Sequence, residues 1–113
     1  SAHDPEWFTT APTKAIDKVL SKAKLKPTDI DLWEINEAFS VVAMAAIHDF
    51  QLDDKKVNIY GGAVSLGHPI GASGARILTT LINGMDRNSS KLGLASLCIG
   101  GGEASAIIVE NYD

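Results

Sequence analysis

Apolar positions along the chain switch between helical and strand spacing, and each switch marks an element. Pro12 stands where a first helical turn accepts proline, with Thr10 ahead of it as the expected cap. From there Ile16, Val19, Leu20 and Ala23 form one stripe, while Lys14, Asp17, Lys18 and Lys22 fill a solvated face. "KPTDI" breaks this helix, "DLWEIN" predicts a short strand, and a second helix is expected from Glu37 to near Asp49. "DDKK" is a polar loop, and "VNIYGG" predicts a second strand. Ile77, Leu78, Leu81, Ile82 and Met85 share one face of a third helix, closed by "NGMDRNSSK". "LGLASLCIGGG" then predicts a third strand running into a glycine turn, and "ASAIIVEN" a fourth.

Strands that alternate with helices pair in parallel, whereas the last two, joined tightly, predict an antiparallel hairpin. The expected fold class is therefore α/β: a layered domain with a mixed, mostly parallel sheet and helices on both faces. The segment "AFSVVAMAAIHDF" is apolar nearly all the way round. Such a helix is covered on several sides, more than one small domain supplies, so a further packing layer is expected. The hydrophilic opening "SAHDPEWFTT", without a starting Met, adds the expectation that the chain is a piece of a longer protein.

Composition narrows the partners. The 113 residues make one modest domain, and ten Lys and Arg against fourteen Asp and Glu leave a net charge of -4. That balance argues against nucleic acid or an anionic membrane as the general partner. No apolar stretch reaches membrane-span length and no signal-peptide pattern opens the chain, which makes cytoplasm or an organelle matrix the expected compartment. A single cysteine, Cys98, excludes internal disulfides and a Cys-rich zinc site. The histidines at 3, 48 and 68 lack metal-ligand spacing, so no metal is expected.

In parallel α/β sheets, ligands gather beyond the carboxyl ends of the strands. Three such ends are predicted here: Asn36-Glu37-Ala38-Phe39, the loop "GGAVSLGHPIGASGARI" with His68, and Cys98-Ile99-Gly100-Gly101-Gly102. His68 is either a simple helix cap or a catalytic base. With Pro69 at the first helical position, the helix dipole would keep its ring neutral, and glycines 67, 71 and 74 would leave room for a substrate. Cys98 is either a small buried hydrophobe or a thiol facing the backbone N–H groups of a glycine turn, the geometry of an oxyanion hole. Asn36 taken singly reads as a cap and Glu37 as a first-turn carboxylate. The loop lacks the spacing of a nucleotide-binding motif.

"NEAF" at 36–39, "GGAVSLGHPIGASGARI" at 61–77 and "CIGGG" at 98–102 together resemble the C-terminal signatures of thiolases, most closely the acetyl-CoA acetyltransferase branch. The resemblance covers nearly the whole chain. It implies a thiolase C-terminal domain over residues 1–113 that lacks its first strand, with the N-terminal half and the coenzyme-A-holding loop domain absent. It further implies that His68 activates a nucleophilic cysteine of the other half, and that Cys98 exchanges an α-proton with a second acetyl-CoA. By the same resemblance Asn36 holds a water that stabilises an enolate with His68, and the Gly100 N–H supports a tetrahedral intermediate. Ala38 and Phe39 line the slot for the pantetheine arm. The implied partners are acetyl-CoA and acetoacetyl-CoA as substrates, with no separate cofactor, the N-terminal thiolase half, and like subunits in a homodimer or homotetramer. Some thiolases hold potassium near the position of Val64. Two rival readings remain at this point: a Cys/His/Asn hydrolase with Cys98 as its own nucleophile, and an inactive packing or dimerisation domain.

Overall fold

The computed structural model describes residues 1–112. After a 3-10 stretch at Pro5–Thr10, the elements run α1 (Ala11–Ala23), β1 (Leu32–Ile35), α2 (Ser40–Phe50), α3 (Ala63–Leu66), α4 (Ser73–Asn88), β2 (Leu92–Gly100) and β3 (Glu103–Glu110). The sheet is mixed, in the order β1-β2-β3. β1 lies parallel to β2, with Leu32 opposite Gly93 and Ile35 opposite Ser96. β2 and β3 form the expected antiparallel hairpin, turning through Gly100, Gly101 and Gly102 at φ of +92°, +60° and +85°. On the outer edge of β3, Ala2 bridges Glu103.

Alternation along the strands sends apolar side chains to both faces. Trp33, Ile35 and Leu94 meet Ile16 and Leu20 of α1 and Ala43 and Ala46 of α2. Leu32 and Ala95 meet Ile77, Leu81 and Met85 of α4 on the other face. α1 buries Ala15 with Ile16 and Leu20, while Ala23, expected in the stripe, is exposed; on α4 Ile82 is likewise exposed. α2 buries Val42, Ala43 and Ala46 and leaves Val41 and Met44 in solvent. None of the helices described is long and apolar enough to cross a membrane.

Three local expectations fail, each for a definable reason. Thr10 does not cap α1; its hydroxyl donates backwards to the Trp7 carbonyl at 2.9 Å. "VNIYGG" is not a strand. Val57 makes a single parallel bridge to Trp33, after which Asn58 turns into the left-handed region at φ 50°. Its carboxamide then takes the place of a ladder, accepting from the Ile35 N–H and donating to the Ile35 carbonyl, both at 2.8 Å. The helix expected from Glu37 begins only at Ser40, because Asn36 extends the β1 ladder (N–H to the Ser96 carbonyl, 2.9 Å) and Phe39 is still extended.

Candidate active site

Between β1 and α2 the chain is not helical, and the side chains of Asn36 and Glu37 part, one to His68 and the other to the glycine loop. Asn36 is neither cap nor surface residue: it is 1% exposed, and its Nδ2 lies 3.4 Å from His68 Nδ1. Glu37 is not in a first helical turn. Its carboxylate accepts from the Val64 N–H (3.0 Å) and Asn58 Nδ2 (3.2 Å), tying the glycine loop to the end of β1. A Cβ on Gly62 would sit 2.6 Å from Glu37 Oε1, so a side chain there would push this carboxylate away from its two donors.

His68 lies between α3 and α4, and Pro69 does not start a helix. Gly71 at φ +87° interrupts the chain, so Pro69–Ala72 closes as a turn (Ala72 N–H to the Pro69 carbonyl, 2.9 Å) and α4 begins at Ser73. The imidazole is therefore held by a side chain rather than by a helix end. Its Nδ1 lies 2.6 Å from Ser73 Oγ, a fully buried hydroxyl that also reaches the Pro69 carbonyl at 3.3 Å. Among the described residues Nε2 has no partner. A Cβ at Gly67 or Gly71 would meet nothing within 4 Å, so conformation rather than crowding requires glycine there.

Cys98 sits on β2 opposite Ala104, just before the ladder slips at Ile99. It is buried and unpaired, and burial pushes its thiol above the usual thiol range against a smaller opposing effect of the backbone. His68, Cys98, Gly100, Ala38 and Phe39 line one cavity of about 570 Å³, and Asn36 reaches it through its contact with His68. Of the three turn glycines only Gly100 lines this space, and of the loop glycines Gly71 and Gly74 do. Ser73 and Phe8 were not legible in the sequence. Phe8 comes from the 3-10 stretch to stack edge-on against Phe39, with ring centres 5.8 Å apart. Among the described residues, no three His, Cys, Asp or Glu side chains gather as around a metal ion.

Behind Asn36 on the same strand lies Glu34, fully buried, with Oε2 at 3.4 Å from Arg76 Nη1. Burial pushes its carboxyl up to about 7; Arg76 opposes the rise and Glu37 adds to it. A carboxyl that holds its proton more tightly when folded stabilises the fold below its ordinary 4.5 and loses that contribution as pH rises through 7. Glu34→Gln should therefore flatten the fall in stability between those limits, a slope of up to about 1.4 kcal/mol per pH unit. Urea melts at pH 5 and pH 8 check this, and an unchanged pH dependence would contradict it.

The sequence and the architecture agree with one family. The thiolase C-terminal domain model matches residues 1–111. Mitochondrial acetyl-CoA acetyltransferase of Rattus norvegicus is 54% identical over 110 residues, 97% of this chain and 26% of the rat protein. The acetyl-CoA acetyltransferase of Saccharomyces cerevisiae is 47% identical over 111 residues, 97% of this chain and 28% of the yeast protein. A thiolase from Ascaris suum, solved in complex with coenzyme A, superposes with a TM-score of 0.92 at 50% identity, over 98% of this chain and 28% of that one. Human mitochondrial 3-ketoacyl-CoA thiolase gives 0.96 at 41% identity, over 100% of this chain and 29% of that one. The chain belongs to the thiolase family, as its C-terminal domain. It spans about a quarter of the length of the acetyltransferases it matches.

Proposed function

We propose that this chain is the C-terminal half of an acetyl-CoA C-acetyltransferase, which condenses two acetyl-CoA molecules to acetoacetyl-CoA and free CoA or runs the reverse thiolysis. One observation carries this reading: an imidazole, a thiol and a turn glycine share a single cavity, with a buried carboxamide against the imidazole. His68, with Nδ1 anchored on Ser73, takes a proton at Nε2 from an acyl-accepting cysteine of the N-terminal half. The resulting thiolate attacks the thioester carbonyl, and CoA leaves with that proton. Cys98, having passed its own proton to the His68 Nε2 left neutral by that departure, then removes the α-proton of a second acetyl-CoA. The carbanion attacks the bound acyl group, forming a carbon–carbon bond as the bond to the accepting sulfur breaks, and His68 returns its proton to that sulfur. In thiolysis Cys98 returns its proton to the departing acetyl carbanion, a step suited to a thiol that burial keeps protonated.

Asn36 holds the water that, with His68, stabilises the enolate oxygen, and the Gly100 N–H supports the tetrahedral intermediate. Ala38 and Phe39 flank the pantetheine arm, and the CoA thioester is substrate rather than cofactor. The exposed Val41, Met44, Val64 and Leu66 suit burial beneath the N-terminal half. The complete protein is a homodimer or homotetramer of fatty-acid metabolism in the cytoplasm or an organelle matrix. A raised thiol speaks against Cys98 as a self-sufficient hydrolase nucleophile. The test supplies the full-length polypeptide with acetoacetyl-CoA and CoA and follows acetyl-CoA. Cleavage is expected, and a folded full-length protein that forms none would refute the proposal.

A further inference from the structure

Two buried acceptors, one on β1 and one on the residue that follows it, have no partner among the described residues. Glu34 and Asn36 are each 1% exposed, and among the described residues Glu34 Oε1 and Asn36 Oδ1 accept no hydrogen bond. Two residues apart on a strand, they share one face with Cα atoms roughly 6.6 Å apart. On α4, Arg76 meets Glu34 Oε2 at 3.4 Å, and Ser73 holds the His68 ring that Asn36 Nδ2 touches. Each of the two side chains is thus tied at one end only. With Glu34 ionised, its carboxylate and the carboxamide oxygen both accept, so neither can satisfy the other and both need a donor.

We propose that Glu34 is a positioning residue for Asn36: one buried water donates to Glu34 Oε1 and Asn36 Oδ1, holding the carboxamide with Nδ2 toward His68. A single water making two bonds of about 2.8 Å joins acceptors about 4.5 Å apart, a separation that side chains on neighbouring same-face positions can adopt. Asn36 needs such a tether, because its 3.4 Å approach to His68 is at the outer edge of hydrogen-bond range. A carboxamide turned over would present Oδ1 instead of Nδ2 to the water that Asn36 holds in the proposed reaction. Arg76 fixes the far side of Glu34. Glu37, the other charged neighbour, is engaged by Val64 and Asn58 and so is not free to take Glu34's place.

The use of this tether rests on the thiolase reading, but its geometry does not. The test reads the Asn36 carboxamide by NMR in the wild type, Glu34→Gln and Glu34→Asp, alongside thiolysis by the full-length polypeptide. In the wild type the Nδ2 protons should give a nuclear Overhauser signal to the His68 ring. Glu34→Gln places an N–H where Oε1 was, so it should keep that signal and hold kcat within about threefold. Glu34→Asp draws the carboxylate back by one methylene. The signal should then vanish and kcat should fall about ten- to a hundredfold, with KM for CoA little changed. Wild-type Nδ2 protons signalling to Glu34 instead of His68 would overturn the proposal. So would a signal that disappears in Glu34→Gln, or one that persists unaltered in Glu34→Asp. The NMR signals need no turnover, so a wild type without thiolysis would sink the proposed function and leave this test standing.

Discussion

Cys98→Ala is expected to lower thiolysis of acetoacetyl-CoA by the full-length polypeptide about 10²- to 10⁴-fold, the usual contribution of a positioned acid–base group. The thiol lies at the wall of the cavity shared with His68, and it is the only cysteine in the chain. Alanine removes one sulfur from a wall that already opens on a cavity, so the melting temperature should shift by no more than the equivalent of about 1 kcal/mol. The loss should fall on kcat rather than on KM for CoA, since neither Ala38 nor Phe39, the residues proposed to flank the pantetheine arm, is changed. Exchange of acetyl-CoA α-protons with solvent should vanish in the variant, while transfer of an acyl group to the N-terminal half persists. His68→Ala should abolish both. Near-normal turnover in both variants would end the assignment of roles.

Asn58→Ala should produce the largest loss of stability from a single side chain outside the apolar core. Its carboxamide makes three bonds: from the Ile35 N–H, to the Ile35 carbonyl and to Glu37 Oε1. Ile35 is fully buried, so alanine strands a backbone donor and a backbone acceptor together, at about 2–4 kcal/mol in total. For a domain of this size, that is a fall in melting temperature of at least about 10 °C. Asn58→Asp should do no better, because two of the three bonds are donated by Nδ2 and a carboxylate would face Glu37. A variant melting within about 2 °C of the parent would show that the clamp is incidental.

How far the fold was legible follows from which signals were local. α1, the β2–β3 hairpin and the parallel pairing of β1 with β2 announce themselves in apolar spacing and in the glycine turn. The segment from Val57 did not, because a side-chain amide replaces the ladder, and only the tertiary neighbour Ile35 shows that the amide is used. Pro69 looked like a helix start because proline suits that position; Gly71, two residues on, overrides it with a backbone that α-helix excludes. His68 and Cys98 were legible because loop and turn chemistry concentrate around them. Ser73, Phe8 and Glu34 each act across elements, and a serine, a phenylalanine or a strand glutamate carries no such signal in one sequence.

The Asn58 clamp also has a consequence for self-association. It occupies the outer rim of β1 where that strand would otherwise offer bare amides, with Val57 bridging Trp33 just before it. Stacking of two copies through this rim is thereby obstructed, as exposed strand margins generally must be if a protein is to stay out of fibrils. Among the described residues the sheet stays open to growth alongside β3, where Ala2 already bridges Glu103.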